Sequence, residues 1–145
     1  MKPQFIIGAA SSGSGKTTFT MGLLRALAHR GMRVQPYKCG PDYIDTQFHS
    51  LASKQVSVNL DTWLASEEHV RSLYHSYGKD ADVCTVEGVM GLYDGYSGMK
   101  GSSAAMAALL DIPVILLVNA RSTAYSVAPL ISGFAHFSPN VKVAG

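Results

Sequence analysis

The chain has 145 residues, the size of one domain, and its 47% hydrophobic against 15% charged residues supply enough apolar side chain for a core and exclude intrinsic disorder. Twelve basic and ten acidic side chains leave a formal charge of +2, far from the clustered basic surface that binding to a nucleic-acid backbone requires. Nucleic acid is not the expected partner. The two cysteines, Cys39 and Cys84, make neither a disulfide framework nor a zinc knuckle, which points to a reducing cytoplasm. The longest aliphatic run, Val114 to Val118, is much shorter than the roughly 20 residues of a spanning helix, and no signal-peptide pattern opens the chain, so no membrane partner is expected.

Taken in chain order, Phe5-Ile6-Ile7 reads as a buried strand and the glycines and serines after it as a turn. From Lys16 onward Phe19, Leu23, Leu24 and Leu27 recur at helical spacing, and Gly31 stands where a C-terminal cap belongs. Val34 to Lys38 predicts a second strand, ended by Cys39-Gly40-Pro41, and a loop is expected to follow. Ser66 before Glu67 and Glu68 is an N-cap signature, with Val70, Leu73, Tyr74 and Tyr77 on one face of the helix it starts. Val83 to Val86 is a third strand. Gly88 to Gly101 holds five glycines in fourteen residues, which predicts a functional loop. Ser102 to Leu110 reads as an alanine-rich helix, Val114 to Val118 as a strand after Pro113, and Tyr125 to Phe137 as a last helix. Val141 to Gly145 resembles the opening of another strand, which predicts a fragment of a longer protein. The final 45 residues carry only three charges, Asp111, Arg121 and Lys142, and are therefore expected to be mostly interior. Strands without polar alternation, separated by helices, give an α/β fold with a mostly parallel sheet covered by helices on both faces.

The segment Ala10-Ser11-Ser12-Gly13-Ser14-Gly15-Lys16-Thr17-Thr18, lying between the first strand and the first helix, is a Walker A phosphate loop in the context that gives it meaning. Backbone N–H groups from Ser12 to Gly15 turn inward around phosphate oxygens, and the helix N-terminus adds partial positive charge. Lys16 is placed to reach the β- and γ-phosphates, Thr17 to present its hydroxyl to Mg²⁺, and Thr18 to donate to the α-phosphate. Ala10 replaces the first consensus glycine, which is tolerable at negative φ. Lys38 ends the second strand on the ligand-binding edge of the sheet, either as a second cation beside the γ-phosphate or as a solvated strand-end lysine. Asp42, Asp45 and Glu87 can converge on the same edge, and Asp45 and Glu87 are the chosen Mg²⁺ ligands, the alternative for each being a cap or a surface acid. The histidines, His29, His49, His69, His75 and His136, contain no H-x-x-x-H pair and are not read as metal ligands. Cys39 is read as a packing residue, and Trp63, Tyr74 and Tyr77 are assigned no chemistry.

The order Walker A, PYKCGPDYIDTQFH, EGVMGLYDG, LLVNARSTAYSVAPLISGF resembles the N-terminal ATP-binding domain of the cobyrinic acid a,c-diamide synthase family over nearly the whole chain. The resemblance implies a P-loop NTPase fold of the dethiobiotin-synthetase type, and residues 1–145 as its ATP-binding amidoligase domain, incomplete at the C-terminal side. It also implies ATP-driven amidation of two acetate side chains of a corrinoid, through an acyl phosphate, with ammonia from a C-terminal glutaminase domain of the same protein. Carried onto this sequence, Lys16 and Thr17 serve ATP, Asp45 and Glu87 hold Mg²⁺, and Lys38 accompanies the transferred phosphoryl group. Asp42, Tyr43 and Ile44 face the corrinoid, and Asp94 either helps to position it or responds to the intermediate. Where the family often has aspartate-alanine-arginine, this chain has Asn119-Ala120-Arg121, and base recognition is expected beyond Gly145. The alternatives are cobyric acid synthase or another glutamine-dependent amidotransferase, a nucleotide switch of the partition or targeting type, and dethiobiotin synthetase. A homodimer is left open.

Overall fold

Strands that are apolar on both sides must be covered on both faces, and the connections between them supply that cover. The computed structural model describes residues 2–145. In chain order the elements are β1 (Gln4–Ala9), α1 (Lys16–His29), β2 (Val34–Cys39), α2 (Asp45–Ser53), β3 (Val58–Leu60), α3 (Glu67–Gly78), β4 (Val83–Glu87), α4 (Ser103–Leu110), β5 (Val114–Leu117) and α5 (Val127–His136). The five strands are all parallel, in the order β3-β2-β4-β1-β5. With right-handed crossovers, α1 and α2 fall on one face and α3 and α4 on the other, and α1 packs on α2 and α3 on α4 accordingly.

The register aligns the functional strand ends. Ile7 of β1 pairs with Glu87 of β4, and Lys38 of β2 pairs with the same Glu87. Three residues that sequence alone places on separate strands therefore end on one edge, directly above the phosphate loop that leaves β1. Pro36 lies inside fully buried β2, yet its missing N–H breaks no ladder. β3 joins β2 only from Tyr37 onward. The core has two parts: Ile6, Val86, Val70 and Leu60 are buried in the larger, where the Tyr37 hydroxyl donates to the Tyr74 carbonyl at 2.6 Å with the two rings 4.8 Å apart, and Leu24, Val34 and Val83 form the smaller.

Two expectations change. The segment after Pro41 is not a loop throughout, since α2 starts at Asp45 and β3 follows it. Its composition hides it: Thr46, Ser50 and Ser53 are poor helix formers whose hydroxyls bond the carbonyls of Asp42, Thr46 and His49 four residues back. The low charge of the final third does not make it interior. α5 contains no buried residue, and Tyr125 and Phe137 stand 89% and 67% exposed. Lack of charge limits what a surface repels and does not by itself supply a partner to cover it. Trp63 and Tyr77 are exposed as well, whereas Tyr74 is core. The last residues do run beside β5: Val114 N–H donates to the Lys142 carbonyl at 2.8 Å and Leu116 N–H to the Gly145 carbonyl at 2.7 Å, in a parallel bridge centred on Val143.

Ser66 caps α3 as its position suggests, its hydroxyl accepting from the His69 N–H at 3.2 Å. Ser66→Ala is expected to cost about 1 kcal/mol, read as a shift in the denaturant midpoint at unchanged slope.

Candidate functional site

The phosphate loop takes its shape from Gly13 and Gly15, whose φ angles of 75° and 86° lie where side-chain-bearing residues are strained. Gly15 is also the N-cap of α1, so its conformation aims the free N–H groups of the first turn at the pocket. Ser14 Oγ donates to the Ser11 carbonyl at 2.8 Å and closes the loop. Ala10 is not among the positive-φ residues, so its methyl group meets no backbone penalty. The pocket, about 450 Å³, is lined by Ser12, Gly13, Gly15 to Thr18, Lys38, Asp42, Asp45, Glu87 and the Gly88 to Met90 turn.

Lys38 is not a solvated lysine. It is buried, and its Nζ donates to Asp45 Oδ2 at 2.7 Å and to Glu87 Oε1 at 2.8 Å. Burial alone pushes an ammonium toward neutrality, but the charge of Glu87 and the bonds to both carboxylates outweigh it and raise the Lys38 pKa. Thr17 Oγ1 donates to Glu87 Oε1 at 2.7 Å and lies 3.3 Å from Asp45 Oδ2. Glu87 is completely buried, and its second oxygen accepts from His49 Nε2 at 2.7 Å. Burial would push its carboxyl upward, yet the His49 hydrogen bond, the Lys38 charge and bond and the Thr17 hydroxyl together hold it down at about 2. A folded carboxyl that binds its proton less tightly than the unfolded one stabilises the fold fully above about pH 4.5 and loses that contribution as pH falls toward about 2. Unfolding free energy is therefore expected to drop by about 3 kcal/mol across that window, and a Glu87→Gln protein should lack this part of the pH dependence.

Lys16 is poised differently. Its Nζ donates to the Met90 carbonyl at 2.7 Å, and burial followed by repulsion from Lys38 lowers its pKa against the pull of Glu87, Asp45 and Asp94. Met90 has a φ of 47°, unusual for a residue with a side chain. Asp94 Oδ2 accepts from the Gly91 N–H at 3.0 Å in the same turn. Asp42 spends Oδ1 on the N–H groups of Ile44 and Asp45, at 2.9 and 2.8 Å, where it fixes the entry to α2, while Oδ2 stands 3.9 Å from Lys38. Tyr43 and Ile44 are 77% and 68% exposed and do not line the phosphate pocket.

Thr17, Asp45 and Glu87 are all oxygen donors, the kind Mg²⁺ accepts alongside phosphates and water. Among the described residues no cluster of three or more His, Cys, Asp or Glu could hold a metal ion. The set thus fits a hard cation that brings most of its own ligands, with Lys38 yielding part of its hold on the two carboxylates. Cys39 is buried, and burial raises its thiol to about 12, which suits packing and not nucleophilic attack. His49 is the residue the sequence reading passes over. Once α2 is seen as a helix, Asp45 and His49 fall four apart on one face, and that spacing is the signal.

A sequence profile described as the CobQ/CobB/MinD/ParA nucleotide binding domain (CbiA) matches residues 5–136. The chain belongs to this family. It is 50% identical over 147 residues to cobyrinate a,c-diamide synthase of Streptococcus sanguinis, covering 98% of this chain and 32% of that protein. It is 48% identical over 145 residues to hydrogenobyrinate a,c-diamide synthase of Streptomyces coelicolor, covering 99% of this chain and 30% of that protein. The chain spans about a third of the length of the curated relatives it matches. Among solved structures, chloroplast FtsY from Physcomitrella patens superposes with a TM-score of 0.58 at 15% identity over 96% of this chain and 47% of that one. HypB from Archaeoglobus fulgidus gives 0.57 at 13% identity over 98% of this chain and 79% of that one. These likenesses establish the P-loop nucleotide-binding fold. No helix of the described residues is long and apolar enough to cross a membrane.

Proposed function

We propose that this chain is the ATP-binding and phosphoryl-transfer domain of a cobyrinic acid a,c-diamide synthase, acting with a glutaminase domain of the same longer protein. The observation that carries the reading is the meeting of Lys16, Thr17, Lys38, Asp45 and Glu87 in one pocket at the strand ends. The corrinoid substrate is supported by the names of the relatives, and the rest follows from chemistry.

A carboxylate is a poor electrophile. A new bond between an acetate oxygen of the corrinoid and the γ-phosphorus of ATP, with departure of ADP, makes an acyl phosphate, and ammonia then displaces inorganic phosphate to leave the amide. The protein contributes position and charge. The phosphate loop fixes the triphosphate, Lys16 moves from the Met90 carbonyl onto the β- and γ-oxygens, and Thr18 donates to the α-phosphate. Lys38, already charged, faces the oxygens of the moving phosphoryl group. Thr17, Asp45 and Glu87 would hold Mg²⁺, which when bound neutralises phosphate charge. Asp42, Tyr43, Ile44 and Asp94 are the proposed corrinoid contacts at the rim. No nucleophile of the chain is needed.

The test is product analysis by mass spectrometry of the full-length protein with cobyrinic acid, glutamine and MgATP. Two successive replacements of a carboxylic OH by NH₂, each dependent on ATP, are expected. ATP turnover that ignores corrinoid and responds to a protein partner would replace this reading with a nucleotide switch.

A further inference from the structure

Beside Met90 lies a second hollow, about 280 Å³, whose walls include Pro41, Asp61, Trp63, Met90, Tyr96 and Gly101. Val89 and Met90 line both spaces, and Met90 carries the carbonyl that holds Lys16, so the two adjoin at the contact Lys16 makes with that turn. Large apolar side chains are exposed here together: Trp63 is 69%, Tyr96 53% and Met90 44% accessible. A cluster of this kind marks a surface that takes a partner or ligand.

The wall is built and not incidental. Trp63 and Tyr96 come from segments far apart in sequence and meet edge to face, with centroids 4.7 Å apart at 77°, a geometry favoured by the ring quadrupoles. Trp63 is held from behind by an Asx turn in which its N–H donates to Asp61 Oδ1 at 3.0 Å. Tyr96 is held by the tight turn that bonds its N–H to the Lys100 carbonyl at 3.0 Å, and its ring lies against Gly101, where a Cβ would come within 2.6 Å of the ring. Asp61 Oδ2 is buried and has no hydrogen-bond partner among the described residues, which sets one polar group in an otherwise apolar wall.

We propose that this hollow is the acceptor subsite: Trp63, Tyr96 and Met90 receive the flat apolar face of a corrin ring, with one acetate directed at Lys16 and Lys38. The inference rests on the corrinoid reading above and moves the main contact from Tyr43 and Ile44, which do not line the hollow, to the aromatic wall. The triphosphate itself has no use for an apolar hollow beyond its γ end. On the proposed reading Lys16 serves the γ-phosphate, so a hollow beside its Met90 partner lies on the side from which an acceptor would approach.

The test is calorimetric titration of the full-length protein with cobyrinic acid, and separately with ADP and Mg²⁺. Trp63→Ala and Tyr96→Ala should each weaken cobyrinic acid binding about tenfold or more while leaving nucleotide affinity unchanged, and Trp63→Phe should restore most of the loss. Because Trp63 is exposed, its variants are expected to melt with the parent. Equal corrinoid affinity in parent and variants overturns the subsite and leaves the function standing. Loss of nucleotide binding in step with corrinoid binding assigns the wall a structural role and also overturns it. A parent that binds nucleotide but no cobyrinic acid overturns the corrinoid reading and the subsite together.

Discussion

Glu87→Ala is expected to lower the unfolding free energy in the absence of nucleotide by about 3–5 kcal/mol, the usual cost of removing one partner from a buried ion pair. For a chain of this length that is a fall in Tm on the order of 10 °C. The size follows from what the carboxylate serves: Lys38, Thr17 and His49 each lose their bond to it, and buried Lys38 keeps only Asp45 within 3 Å, with Asp42 more distant at 3.9 Å. Asp45 is partly exposed and stands at the start of α2, so Asp45→Asn should cost far less stability while raising the Mg²⁺ concentration needed for half-maximal activity. Denaturant titration of the two variants without nucleotide, beside a Mg²⁺ titration of activity, separates the roles. Comparable stability losses in both would show that Glu87 is not the centre of the network.

Lys16→Ala is expected to leave the nucleotide-free fold nearly as stable and to reduce turnover of the full-length enzyme by about 10²–10³, the scale on which removal of one preorganised charge-stabilising group acts. The reason lies in the contrast between the two lysines. Lys38 is surrounded by carboxylates and its charge is held by the fold, whereas Lys16 bonds a neutral carbonyl and its charge is disfavoured by burial and by Lys38. In the proposed mechanism its stabilising partner is the phosphate chain of the nucleotide. Calorimetry with MgATP and steady-state assays check both halves, and unchanged affinity with unchanged turnover would remove Lys16 from the mechanism.

The parts of the fold legible in the sequence are those where local signals agree. β1, the phosphate loop and α1 follow from an apolar run, glycines at positive φ and a 3.6-residue period, and α3 from Ser66 with two acids behind it. That Lys38 and Glu87 lie side by side was legible only as both ending strands; their pairing needed the strand order, in which β4 separates β1 from β2. α2 was hidden because its hydroxyl-rich sequence is held in place by Asp42 and by packing on α1 and not by propensity. Without α2 as a helix, His49 is one of five histidines with no H-x-x-x-H pair. The Trp63 and Tyr96 contact was beyond reach for another reason: it joins two loops, and loops carry no period from which a neighbour can be counted.

Lys38 also bears on how the site folds and takes up metal. Two carboxylates aimed at one point repel each other, and domains that assemble such a pair often need an external ion before they settle. Here the ion is covalently attached. The ammonium of β2 arrives with the strand and offsets one of the two negative charges during folding itself, so the domain should hold its shape in a chelator as well as in magnesium. Any incoming cation then faces an internal competitor, so the two carboxylates are not free to bind metal tightly by themselves. Metal without nucleotide gains little from the exchange; metal delivered together with phosphate gains much more, because the displaced ammonium finds a new anion beside it. A resident lysine of this kind makes the two ligands arrive as one.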